Sequence, residues 1–316
     1  METLKNYFGY AEDFISSELP VPLPTLTPEQ QADVALVAGT TDNVARYVNY
    51  SLVQSQSRGF PYFTASNIDG HLFKRVARKD NWRKDERINH ALQWGQELYS
   101  APQSNFDRGH LVKREDVQWG TTVLEAQNAA DSTFFFTNAV PQHAQLNQAI
   151  WADLENYILH TESVQNNLRI MVFTGPVLNE ADPVFVTEVN GAKVKLPVLF
   201  WKVVVFTKGD NQLYRVGFLM GQTKLLEKGG IIKPQKVKLP ALVAELFTHF
   251  EDAETYQVNI ATLETLTQLK MPPATDVYQD DRPIKLILEE VDINANIRAM
   301  EAFVKELGFR IPNLVL

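Results

Sequence analysis

Residues 132–155 read STFFFTNAVPQHAQLNQAIWADLE, and two periodicities meet in them. Ser132–Thr137 sets three phenylalanines between hydroxyl residues, a β-prone composition. From 144 to 160 the apolar side chains Leu146, Ile150, Trp151, Leu154, Tyr157 and Ile158 recur at helical spacing. The stretch therefore predicts a strand running into a helix. Asn147 and Glu155 stand on that helix two turns apart and within about 80° of each other around its axis. Both can face one cleft while Leu146, Ile150 and Leu154 face the core. An amide oxygen is a hard ligand suited to Mg²⁺, and a carboxylate nearby can support the ion's water shell. Taken alone, an Asn and a Glu on one helix are more often surface residues.

Upstream lies Asp107-Arg108-Gly109-His110, which reads as the end of another strand. Hydrolysing a phosphodiester needs a base for water, cationic neutralisation of the phosphorus centre and help for the leaving oxygen. A neutral imidazole at His110 can be the base. Two residues away on a strand, Arg108 shares its face and can grip a phosphate with its planar fork. Gly109 lets another part of the chain approach closely. A lone histidine is more often structural, and the other five lack comparable neighbours, although His143 comes close to the second stretch.

The chain has 316 residues, 45% of them hydrophobic, and no cysteine. It can bury a substantial core, and disulfides, thiolate metal sites and cysteine nucleophiles are excluded. The net charge of −8 argues mildly against a nucleic-acid partner. Yet Lys74, Arg75, Arg78, Lys79, Arg83, Lys84 and Arg87 cluster in one segment, against Asp80, Asp85 and Glu86. In isolation such a run is usually a solvated face.

Residues 1–44 read as an irregular lead-in broken by Pro20, Pro22, Pro24 and Pro28, with a short helix near Pro28–Val37. Strands are expected at 47–53 and 60–68, with Asp69-Gly70 turning a hairpin toward Leu72. Residues 71–106 read as a long loop with short helical pieces. Strands resume at 168–174, 184–190, 193–206 and 213–220, and helices are expected at Lys238–Phe250, Ile260–Leu269 and Ile293–Leu307. One main domain is expected over 45–273, with a helical tail over 274–316. No membrane-length apolar run and no secretory h-region is seen, so a cytoplasmic location is expected.

Together the two stretches resemble the DNA/RNA non-specific endonuclease family. Its Asp-Arg-Gly-His signature stands at Asp107–His110, its Ser/Thr-Asn-x-x-Pro-Gln segment at Thr137–Gln142 and its Leu-Asn-Gln-x-x-Trp-x-x-Leu-Glu helix at Leu146–Glu155. Phe63–Gly70, Phe173–Pro176, Val194–Pro197 and Phe200–Val203 extend the likeness to about residues 45–272. The resemblance implies an α+β fold, a central and mostly antiparallel sheet flanked by helices, containing a ββα-metal (His-Me finger) site. It implies an endonuclease that cuts DNA and RNA with little sequence preference. His110 would be the general base and Asn147 the sole direct protein ligand of a largely hydrated Mg²⁺, or Mn²⁺. Glu155 would orient water at the ion, Arg108 would stabilise phosphate, and Asn138 would be a polar support within the catalytic set. A further phosphate-binding arginine is expected near Lys79, either Arg78 or Arg83, and the basic run then reads as a phosphate-binding wall. Ala149 stands where family members often carry Gly, a change too small to affect ligation.

Two other readings compete: a catalytically silent nucleic-acid-binding protein, and a phosphodiesterase for a small nucleotide. Fold alone never establishes activity, but base and metal ligand are both present, and the long basic segment favours a polymer. A nuclease inside its own cell needs restraint, so an inhibitor or regulatory partner is expected, and Ile293–Leu307 could serve a homodimer.

Overall fold

The computed structural model describes residues 7–144, 168–234, 254–287, 289–290 and 309–316. The expected helices at 144–160, Lys238–Phe250 and Ile293–Leu307 lie essentially outside the described residues, as do Asn147 and Glu155.

Thirteen strands are formed among the described residues: β1 (Ala45–Arg46), β2 (Tyr50–Gln54), β3 (Pro61–Asp69), β4 (Asp107–His110), β5 (Ala139–Gln142), β6 (Arg169–Pro176), β7 (Leu199–Thr207), β8 (Leu213–Gly221), β9 (Thr255–Val258), β10 (Thr275–Asp276), β11 (Ile284–Lys285), β12 (Glu289–Glu290) and β13 (Phe309–Arg310). Nine of them build one sheet in the order β1-β2-β3-β6-β7-β8-β9-β11, with β10 beside β8. Every pairing in it is antiparallel except β10 with β8. The architecture is α+β. The central strands are buried along most of their length, which is why Leu199–Val205 is an unbroken apolar run apart from the buried Lys202. Trp201, Phe63, Phe173, Phe200 and Phe218 fill the main core.

Several sequence expectations shift. Asp69-Gly70 does not turn a hairpin: Ile68 pairs with Ile170, and the Asp69 carboxylate accepts from Leu72 N at 3.0 Å to end β3. The strand expected at 184–190 is reduced to isolated bridges, Val184 with Lys195 and Val189 with Ala192. Residues 123–132 form a helix capped by a reciprocal Thr122/Glu125 capping box. The strand expected at Ser132–Thr137 is displaced to Ala139–Gln142, because the phenylalanines are drawn into an aromatic cluster and Phe136–Asn138 makes a 3₁₀ turn.

Nor is the lead-in separate from the domain. Thr25 and Lys270 exchange two backbone hydrogen bonds of 2.9 Å, and Gly9 N donates to Tyr47 O. The tail from 274 contributes β10 and β11 to the main sheet, so its described part is strand and not helix.

Candidate active site

β4 and β5 form a ribbon of their own, outside the large sheet. Asp107 pairs with Gln142, Arg108 with Pro141, Gly109 with Val140 and His110 with Ala139. Alternation along β4 puts Arg108 and His110 on one face, as expected. Gly109 makes room for Gln142, since a Cβ there would meet Gln142 Oε1 at 2.1 Å and Cδ at 2.3 Å and the side chain would have to shift.

The ribbon is tied down from three sides. Asn138 is fully buried: its Oδ1 accepts from Val112 N at 2.9 Å, and its Nδ2 donates to the carbonyls of Val112 and Thr133 at 3.0 and 3.1 Å. Its amide is consumed by backbone, the geometry of the polar support expected from the sequence. Thr137 shares a 2.7 Å hydrogen bond with Tyr47, which donates to Asp85 at 2.6 Å. Gln222, which sequence reasoning missed, donates to Pro141 O at 3.0 Å and Pro197 O at 2.9 Å and accepts from His143 N at 2.8 Å. No local signal marks a glutamine so far along the chain.

His110 packs between aromatic rings. Trp82 lies 4.6 Å away, centroid to centroid, and Phe134 meets it edge-on at 5.0 Å. Its Nε2 is shielded from solvent and has no hydrogen-bond partner among the described residues. Burial, then Arg78, Arg114 and Arg108, push its pKa down to about 3, with Asp80 opposing. The ring is neutral at pH 7.

Arg78, Arg108, Gln96, Trp82, Tyr99 and Phe106 line a cleft of about 430 Å³ together with the carboxylates Asp80 and Asp107, and His110 packs against its Trp82 wall. Arg108 contacts Gln96 Oε1 at 3.3 Å and lies over the Trp82 ring at 5.5 Å, with no carboxylate partner among the described residues. Arg78 lies over Phe134 at 5.7 Å and pairs with Asp80 at 2.6 Å. Arg83 does not join them. It bridges Phe135, so its side chain leaves on the opposite side from Trp82 and stacks on Phe135 at 4.0 Å. Lys79 turns to Asp131 at 3.5 Å.

Much of the basic run is neutralised locally. Lys84 pairs with Glu97, and Arg87 grips the buried Asp85 through Nε and Nη2. Burial opposes ionisation of Asp85, but Arg87 and Tyr47 outweigh it and lower its pKa. The run is held as a structural strap whose cleft-facing residues are Arg78, Asp80 and Trp82.

The profile of the DNA/RNA non-specific endonuclease family matches residues 31–277. The chain belongs to that family. An uncharacterised protein of Sinorhizobium fredii is 37% identical over 230 residues, covering 69% of this chain and 33% of that protein. A nuclease of Nostoc is 28% identical over 201 residues, 60% of this chain and 67% of that one. Human mitochondrial endonuclease G is 35% identical over 117 residues, 35% of this chain and 36% of that one. The chain thus spans about a third of the Sinorhizobium protein and of endonuclease G. Family membership accounts for the Asp107–His110 and Thr137–Gln142 ribbon as two described pieces of one signature. Its third piece, Leu146–Glu155, lies outside the described residues.

Proposed function

We propose that this protein is a metal-dependent endonuclease that hydrolyses phosphodiester bonds of DNA and RNA with little sequence preference. The observation that carries the reading is the placement of a neutral His110, whose Nε2 has no hydrogen-bond partner among the described residues, on one strand face with Arg108, which makes no carboxylate pair among them. Arg108 and Arg78 hold the non-bridging oxygens and offset the charge that builds at phosphorus. Water attacks phosphorus, its proton passes to His110 Nε2, the bond to the leaving oxygen breaks, and that oxygen takes a proton from solvent to leave as the hydroxyl. A group with a pKa of about 3 is a weak base. The bound phosphate is negative, so it opposes the effect of Arg78 and Arg108 on the imidazole and raises its basicity when substrate is in place. Phosphate contacts carry no sequence information, which fits broad cleavage.

Among the described residues no three His, Asp or Glu side chains come together as a metal cage. The donors that fit are hard oxygens. Asn147 would hold a hydrated Mg²⁺, or Mn²⁺, with Glu155 supporting its water shell, and on β5 Gln142 Oε1 is a shielded amide oxygen with no donor among the described residues. When bound, the ion supplies Lewis-acid stabilisation of the phosphate and the leaving oxygen. A protein partner that restrains the enzyme, a homodimer and a cytoplasmic location belong to the same proposal. Plasmid and RNA digestion by the wild-type protein in Mg²⁺, against His110→Ala, tests it; equal cleavage by both proteins would remove His110 from the mechanism.

A further inference from the structure

A site that gripped only phosphate would need arginines, not a wall of rings. Yet the cleft beside His110 is walled by Trp82, Tyr99 and Phe106 as well as by Arg78 and Arg108, with Asp107 and the Asp80 that pairs with Arg78 also lining it. We propose that this cleft binds one whole nucleotide, with an unpaired base against Trp82 and its phosphate on Arg78 and Arg108. The proposal rests on the nuclease reading for the identity of the polymer only.

The indole is built into place. Residues 83 and 134–136 exchange backbone hydrogen bonds, Arg83 N to Phe134 O at 3.1 Å and Phe136 N to Arg83 O at 2.9 Å, which fix the chain beside Trp82. Phe134 meets the ring edge-on at 5.3 Å and Phe136 packs at 5.6 Å. The buried Phe136 also stacks on Tyr99 at 5.9 Å, so one ring backs both aromatic members of the wall. Trp82 itself is only partly buried. A ring held in this way loses little freedom when a base packs on it.

The Arg108 guanidinium is 5.5 Å from the indole centroid, looser than a flat stack, and among the described residues a 3.3 Å contact to Gln96 restrains it. It can shift onto a phosphate and leave the ring to a base. The cleft, about 430 Å³, is within the size range of small-ligand sites. Stacking on an aromatic face tolerates every base, so such a subsite adds affinity without sequence preference. It does demand that the base leave the duplex stack. Strands whose bases are already unpaired are therefore the preferred substrate.

A mononucleotide has no diester to cleave, so wild-type protein in EDTA can be titrated directly with adenosine 5′-monophosphate and with ribose 5-phosphate. The nucleotide is expected to bind about tenfold more tightly, the size of one base–aromatic stack. Trp82→Leu is expected to erase that gap and Trp82→Phe to keep most of it, whereas Arg108→Gln weakens both ligands by the same factor. Equal binding of the two ligands by the wild-type protein overturns the proposal, and needs no variant to fold. A gap that survives Trp82→Leu overturns it as well. Plasmid degradation without a gap leaves the nuclease reading standing and the subsite fallen. A gap without any cleavage leaves the subsite standing and the nuclease reading fallen.

Discussion

Asn138 clamps Val112 from both sides: its side chain accepts from the Val112 amide at 2.9 Å and donates to the Val112 carbonyl at 3.0 Å. The segment leaving His110 is thereby locked to the turn that precedes β5, and Leu111 N adds a 3.0 Å hydrogen bond to Asn138 O. Asn138→Ala removes three buried side-chain hydrogen bonds and leaves their backbone partners unsatisfied. The expected cost is about 3 kcal/mol of stability, since each buried orphan costs roughly 1–3 kcal/mol. Urea unfolding measures it, and a loss below about 1 kcal/mol would show that the clamp is dispensable.

Gly109→Ala should be worse for activity than for folding. The added methyl collides with the Gln142 side chain, which is itself buried, so β4 or Gln142 must move. Overpacking of this kind costs about 1–3 kcal/mol. The same movement displaces Arg108 and His110, and cleavage should fall at least about tenfold, because misplacement of roughly an ångström costs about that much or more. A crystal structure of the variant with β4 unmoved and full activity would contradict this.

His110 sets a pH dependence of stability. Its folded pKa is about 3, against about 6.5 for a free imidazole. Between those values the unfolded chain takes up a proton at this position that the folded protein refuses. The histidine therefore costs nothing above the free value, and it progressively destabilises the fold as the pH falls below it. Comparing urea midpoints of wild type and His110→Gln from pH 7.5 to 5 should show the wild type losing ground to the variant on acidification. Parallel curves would mean that the imidazole is more exposed to solvent than its surroundings indicate.

Arg108 and Arg83 should separate in salt titrations. Arg108 faces the cleft and makes no carboxylate pair among the described residues, whereas Arg83 stacks on Phe135 on the other side of the segment. In a His110→Ala background, Arg108→Gln should reduce the slope of log K against log salt by about 0.9 on duplex DNA, one phosphate's worth of released counterions. Arg83→Gln should change it less. The reverse order would move the phosphate track to the Phe135 side.

The site was legible in sequence where its geometry is local. Period-two alternation puts Arg108 and His110 on one strand face, and nothing distant is needed to see it. The choice between Arg78 and Arg83 depends instead on a bridge between Arg83 and Phe135, fifty-two positions apart in the chain, which decides which way the segment faces. Ser132–Thr137 had β-prone composition, but burial of Phe134 and Phe136 against Trp82 and the backbone-directed amide of Asn138 outweighed it. Gln222 stayed hidden because its partners, Pro141, His143 and Pro197, come together only in the fold. The roles of Asn147 and Glu155 rest on spacing and family signature.

The most direct measurement is digestion of supercoiled plasmid and of single-stranded RNA by the purified protein in Mg²⁺, with and without EDTA, beside His110→Ala. The expected result is loss of both substrates without preferred fragments, full protection in EDTA, and a rate about 10²–10⁴-fold lower for the variant, the usual range for a lost general base. Plasmid and RNA left intact by the wild-type protein in both Mg²⁺ and Mn²⁺ would contradict the nuclease assignment.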